Sequence, residues 1–149
     1  MAEVAAADIA DIALPCPWHR QAWAALQSRA DTLPHALLFS GEAGIGKRRF
    51  VDAFAAWLLC SAPVDGLACR RCKSCLLFAA GSHPDSVLLI PEAMRADADE
   101  SDAGGKKRKP SREIRIDEVR ALIDFTSRTA QFGGRRVVRI DPAQAMNTH

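Results

Sequence analysis

An α/β fold, a parallel sheet with helices on both faces, is the class this sequence predicts, and three observations predict it. A short apolar run, "HALLFS" (35–40), leads into the glycine-rich "GEAGIGK" (41–47) and then an apolar-periodic stretch, the order strand, turn, helix. Two later apolar runs, "SVLLI" (86–90) and "RRVVRI" (135–140), are separated by a helical pattern. Strands alternating with helices imply crossover connections and hence parallel pairing. The third observation is an insertion: Cys60, Cys69, Cys72 and Cys75 crowd the segment directly after the first glycine-flanked helix.

Taken in order, residues 1–16 read as a weakly structured leader. From Pro17, which suits a first helical turn, Trp18, Ala22, Ala25 and Leu26 recur at helical spacing up to Arg29 and predict a helix packed on the sheet. "DTLP" breaks it, and "HALLFS" predicts a short buried strand. After Lys47, Phe50, Phe54 and Leu58 fall on one line and Val51, Ala55 and Leu59 on the next, so this helix should be buried over most of its circumference. "SVLLI" is bounded by "HPD" and Pro91, as a buried strand would be. Residues 95–111 change composition, four carboxylates before Gly104 and Gly105 and then "KKRKP"; with no large apolar residue they predict a mobile, self-neutralising charged loop, the alternative being a basic finger that touches DNA. Ile116, Val119, Leu122, Ile123 and Thr126 mark another helix, with Asp117 and Glu118 in the first turn where carboxylates complement the helix dipole, and Gly133 and Gly134 as its stop. "RRVVRIDP" is the third strand, and "AQAMNTH" begins a helix.

Composition narrows the class. The 149 residues, 48% hydrophobic and 26% charged, suffice for one ordinary domain with a core and exclude a disordered chain. A formal charge of +2 does not by itself argue for nucleic acid. No apolar run approaches the roughly 18 residues that would span a bilayer. The amino terminus lacks the positive region of a secretory signal, so a cytoplasmic setting is expected, and with it reduced cysteines.

The glycine-rich stretch has the chemistry of a phosphate-binding loop. Gly41, Gly46 and Lys47 match G-x-x-x-x-G-K, whose glycines let backbone N–H groups curl around a phosphate while the helix end adds partial positive charge. Gly41, Gly44, Ile45, Gly46, Lys47 and Arg48 are therefore the candidate nucleotide contacts. Arg48 stands where a Ser or Thr hydroxyl would ligate Mg²⁺, and a guanidinium has only donors. Binding of ATP or ADP through the backbone and Lys47 stays open; efficient hydrolysis is not expected. Asp141 ends the third strand at the place of a magnesium-binding aspartate, but Pro142 follows where a second carboxylate would orient water. Asp141 also suits a helix N-cap. No residue is assigned a catalytic role.

Cys60, Cys69, Cys72 and Cys75 give C-x8-C-x2-C-x2-C. Two successive C-x2-C steps fold backbone around one metal, and the fourth thiolate closes a tetrahedral site, so structural zinc is expected over residues 60–75, with disulfides or free thiols as the alternative. His83 is a possible substitute ligand, and Cys16 is a leftover thiol.

A zinc module placed directly after a P-loop helix, with "PHALLFSGEAGIGK", "WLLC", "CRRCKSC", "GSHPD", "IDEVRAL" and "GGRRVVRID" in that order, resembles the delta-prime subunit family of the bacterial DNA polymerase III clamp loader. The resemblance covers about residues 17–149. It implies an incomplete AAA+ P-loop domain, zinc on the four cysteines, and the role of a rigid stator with a degenerate, non-hydrolysing P-loop. It also implies DNA replication as the process, the delta and tau/gamma subunits as partners, and the sliding clamp and primed DNA reached through the complex. In that family the core continues further, and its fourth strand lies between the first and third. These 149 residues alone are therefore expected to leave strand edges unpaired and to be marginal or aggregation-prone. The competing readings are an active tau/gamma-like ATPase, a zinc-containing P-loop nucleotide kinase, and a zinc-dependent DNA-binding module.

Overall fold

A computed structural model describes residues 15–95, 111–132 and 134–146. Among them are four α-helices and two strands: α1 (Arg20–Gln27), α2 (Lys47–Leu59), α3 (Lys73–Ala79), β1 (Ser86–Leu89), α4 (Ile116–Ser127) and β2 (Val137–Ile140). The chain divides into two compact units, one holding the described residues up to Ser86 with Ala130–Val137, the other Val87–Thr129 with the described residues from Val138.

The first unit is organised by α2, which buries side chains in two directions. Phe50, Ala53 and Phe54 pack with Trp23 of α1, joined by Leu26, Leu33, Phe39, Trp57, Leu58 and Leu67. Trp23 meets Phe50 and Phe54 edge to face at 5.6 and 5.9 Å. Each such buried ring contributes roughly 1.5–3 kcal/mol by removal from water, with about 0.5–1.5 kcal/mol more from the ring geometry. Ala55, Ala56 and Leu59 turn instead toward Ala68, Cys75 and Phe78. The expected near-encirclement of this helix is what the structure shows.

The first helix differs from its expectation. Pro17–His19 form a 3-10 turn, and the residue that reaches the core is Trp23, while Trp18 is 68% exposed and Ala22 and Ala25 face outward. A stripe through Trp23, Leu26 and Gln27 is the face that the helical period brings against α2. The expected strand at "HALLFS" is also not a strand. Phe39 turns inward, but Leu38 is 82% exposed, and no described strand lies beside the segment to take up its N–H and C=O groups. A strand exists only through its neighbour, so apolarity alone could not make one here.

Among the described residues the sheet therefore has two strands, β1 and β2. The Val137 N–H donates to the Asp85 carbonyl at 2.9 Å and the Asp141 N–H to that of Leu89 at 3.0 Å. Both partners advance together, so the strands are parallel. In the second unit Ile114, 1% exposed, donates its N–H to the Ala145 carbonyl at 2.8 Å. The chain leaves and returns at neighbouring points, the Ala93 N–H bonding the Ser111 carbonyl at 2.8 Å. Most of the charged 95–111 segment lies outside the described residues.

Helix α4 starts as expected: the Glu118 carboxylate reaches back to accept the Arg115 N–H at 3.0 Å and pairs with Arg95. It stops at Ser127, six residues before Gly133, where Arg128 turns to extended backbone. Its apolar face is only half covered, Ile116 and Ile123 being 53% and 66% exposed. Of "AQAMNTH", whose last three residues lie outside the described ones, Ala143–Ala145 form a 3-10 turn whose N-cap is Pro142 and not Asp141.

Candidate phosphate loop and cysteine cluster

Backbone geometry, more than side chains, shapes the loop at 41–47. Gly41, Gly44 and Gly46 have φ of +147°, +82° and +84°, a region open to glycine and costly to other residues. Gly46 is the N-cap of α2, with no side-chain cap. Beneath it the chain is tight: a Cβ on Gly46 would lie 2.9 Å from the Cys16 Sγ. The Lys47 ammonium folds back on its own loop, donating to the Gly41 carbonyl at 2.9 Å and to the Glu42 carbonyl. The Trp18 indole N–H holds the other end, bonding the Ile45 carbonyl at 3.0 Å. The candidates Gly41, Gly44, Ile45, Gly46, Lys47 and Arg48 thus share one turn at a helix amino terminus, the place where an anion is best received. Asp141 belongs to the second unit, following β2.

The cysteines come together as their spacing implies. The Sγ atoms of Cys60, Cys69, Cys72 and Cys75 lie within 4.8 Å of one another. All four are free thiols, and Cys60 and Cys72 stand 3.9 Å apart, far beyond a disulfide bond. Cys60 follows the last residue of α2, while Cys72 caps α3 and Cys75 sits in its first turn. The short α3 itself was not foreseen from the sequence. Backbone N–H groups point at the sulfurs: Cys69 donates to Cys60 at 3.3 Å, Cys72 to Cys69 at 3.3 Å and Cys75 to Cys72 at 3.4 Å. Such donors stabilise thiolates. Burial raises the Cys72 thiol, but hydrogen bonds from Ser61 and the Cys75 N–H outweigh it and bring it down to about 6. Cys75, which burial dominates, is pushed up. The left-handed Arg70, φ 59°, lets the chain turn between Cys69 and Cys72. Four convergent sulfurs with amide donors are a set that could hold one metal ion.

A docked turn presents this segment. Val64 and Leu67 exchange both backbone hydrogen bonds at 2.9 Å around Asp65 and Gly66, whose φ of 49° and 71° make a tight hairpin. The Gly66 carbonyl accepts from Trp23 Nε1 at 3.2 Å and from Gln27 Nε2. The sequence marked His83 only as a substitute ligand and gave no role to Ser74 or Asp85. The three form a buried polar network below the cluster, and "HPD" before a strand was its available signal. Asp85, 1% exposed, accepts the N–H groups of Gln131 and Phe132 at 2.9 and 3.0 Å and faces Arg136 at 3.5 Å. Burial raises its pKa, but these donors and the guanidinium hold it below the ordinary carboxylate value.

A family model described as DNA polymerase III, delta subunit, matches residues 18–149. The chain belongs to this family. It is 44% identical over 133 residues to the DNA polymerase III subunit delta' of Pseudomonas aeruginosa, covering 89% of this chain and 35% of that protein. The delta' subunits of Yersinia pestis and Escherichia coli K12 are 33% identical over 112 residues and 30% over 109, covering 75% and 73% of this chain and 28% of each relative. The chain spans about a third of the length of these relatives. Among the described residues no helix is long and apolar enough to cross a membrane.

Proposed function

We infer that this chain serves DNA replication as the amino-terminal AAA+ P-loop region of a delta-prime subunit of the DNA polymerase III clamp loader, acting as a stator and not as an ATPase. The similarity to proteins named subunit delta' carries the reading, and Arg48 gives its chemical content. In a working P-loop the hydroxyl at that position holds Mg²⁺ against the β and γ phosphates. An arginine there brings a fixed positive charge to the place of a cation. Pro142 after Asp141 supports the same conclusion, since it replaces the carboxylate that would orient water. On this reading the partners are the delta and tau/gamma subunits, with the sliding clamp and primed DNA engaged through the assembly, in the cytoplasm.

The four cysteines are read as a structural zinc site. Tetrahedral zinc with Zn–S near ~2.3 Å asks for sulfurs about 3.8 Å apart. The 3.9 Å between Cys60 and Cys72 meets that spacing. With four protein ligands no position is left for substrate, so the metal would stabilise the 60–75 segment and do no chemistry.

Titration of the zinc-loaded chain with ATP and ADP, with and without Mg²⁺, tests the loop, with phosphate release followed in parallel. The expected result is no phosphate release and an affinity that ignores Mg²⁺. Mg²⁺-dependent turnover would overturn the stator reading. Co-purification with delta and tau/gamma, using the full-length subunit that contains this sequence, tests the assembly.

A further inference from the structure

We propose that Ser74 and His83 are positioning residues for the cysteine site, and that their hydrogen bonds fix Cys60 against the helix that carries Cys72 and Cys75. The proposal rests on the reading that the four cysteines hold a metal.

Three of the cysteines lie within seven residues of one another, but Cys60 comes from the end of α2 and must be brought to them. Ser74, 2% exposed, lies between Lys73 and Cys75 in the first turn of α3. Its hydroxyl donates to the carbonyl of Leu59, the residue before Cys60, at 2.5 Å. That bond ties the backbone entering one sulfur to the backbone carrying another. His83, 4% exposed, holds the hydroxyl from the other side, Nε2 to Oγ at 2.6 Å.

The direction of these bonds follows from the far side of the ring. The Asp85 N–H donates to His83 Nδ1 at 3.0 Å, so Nδ1 carries a lone pair and the neutral ring has its proton on Nε2. His83 is thus a donor to Ser74, and Ser74 in turn donates to Leu59. Burial favours that neutral ring, against the opposing charge of Asp85. Two roles are removed by this arrangement. With its Nε2 lone pair absent, His83 cannot act as a base toward Ser74, and with both nitrogens engaged it is not a ligand. The anchor is firm, because Asp85 itself accepts the Gln131 and Phe132 N–H groups and faces the Arg136 guanidinium. Groups that orient ligands without touching the metal commonly set affinity by about 10–100-fold.

The test measures zinc affinity by competition with a chelator, and the Co²⁺ spectrum, on the 149-residue chain and on Ser74→Ala, His83→Leu and His83→Gln. Leucine keeps apolar bulk beside Phe132 without hydrogen bonds. Glutamine can offer an N–H to Ser74 and an oxygen to the Asp85 N–H. Expected are a loss of about 10–100-fold in Ser74→Ala and His83→Leu, recovery of most of it in His83→Gln, and one tetrathiolate Co²⁺ spectrum throughout. Parent-like affinity in Ser74→Ala and His83→Leu would overturn the proposal, as would a His83→Gln no better than His83→Leu, which would make the effect one of packing. A Co²⁺ spectrum altered in His83→Leu would make His83 a ligand and overturn it too. A parent chain that binds neither metal would instead defeat the metal reading itself, a result separable from the others. If Ser74→Ala does not fold, the two His83 variants decide alone.

Discussion

The glycine-rich loop and the cysteine segment flank the same helix and are built on opposite terms. At the amino end of α2 the loop is exposed, tied by Lys47 and Trp18 to its own carbonyls. At the carboxyl end, Ser74, His83 and Asp85 are buried and hydrogen-bonded to one another in series and to Leu59, Gln131 and Phe132. Exposed self-bonds can be exchanged for those of a ligand at little cost, whereas a buried polar network collapses if one member is lost. The difference predicts where function can change without unfolding the protein: sequence change at the loop should alter binding, and sequence change at the cysteine segment should alter stability.

The largest effect that sharpens this contrast is metal removal. Structural zinc sites contribute apparent free energies of about 10–16 kcal/mol in small peptides, so chelation should lower the thermal midpoint more than any single substitution outside the cluster. Cys75→Ser should do the same; scanning calorimetry with and without chelator reads both. An unchanged midpoint would place the cysteine segment on the same footing as the loop. Next comes Asp85→Ala, expected to cost about 3–5 kcal/mol in urea unfolding at neutral pH, because it strands the Gln131 and Phe132 N–H groups and removes a buried carboxylate that faces Arg136. The pH dependence has a defined sign. Asp85 has a lower pKa folded than unfolded, so its contribution is present above its ordinary value of 3.8 and is lost as pH falls through the lower folded value. Measured from pH 6 downward, the gap between parent and Asp85→Ala should close only in that acid range; a gap independent of pH would show that the carboxylate charge contributes nothing.

Much of this contrast was legible in the sequence, and the gaps have physical causes. The convergence of the four cysteines and the tight glycine turn before α2 could be read because each pattern demands fixed residue types at fixed spacing. β1 and β2 were found because each is an apolar run between breakers. "HALLFS" has the same apolar signature, yet pairing is a property of two segments and periodicity reads only one. Trp18 was misplaced for a related reason: an aromatic residue near a helix start counts as core until the turn that precedes the helix rotates it outward. Ser74 and Asp85 drew no role, and His83 was marked only as a possible ligand, because a hydrogen-bonded network across residues 59–132 has no fixed spacing that would join its members.

Gly46→Ala places a Cβ at φ +84°, a conformation costing about 1–2 kcal/mol for L-residues, and within 2.9 Å of the Cys16 Sγ. Combining it with Cys16→Ala separates the two parts, since relief of the contact restores only the steric share. A full restoration would mean that backbone strain contributes nothing.

Lys47→Ala should show the smallest stability effect, and it divides the two regions most sharply. The ammonium bonds the Gly41 and Glu42 carbonyls at an exposed site, where water replaces it readily, so unfolding free energy should move by no more than about 0.5 kcal/mol. Its self-bonds also mean that an incoming phosphate must draw the side chain away from those carbonyls, so the lysine contributes to anion affinity only what remains after that exchange. Inorganic triphosphate is the suitable probe, because it needs no base or ribose contact. If the parent binds it, Lys47→Ala should lose at least tenfold in affinity while its urea midpoint stays in place. A fall of about 2 kcal/mol in stability with no change in affinity would instead make Lys47 a structural clasp. The loop would then belong with the cysteine segment, a second fixed part of one scaffold.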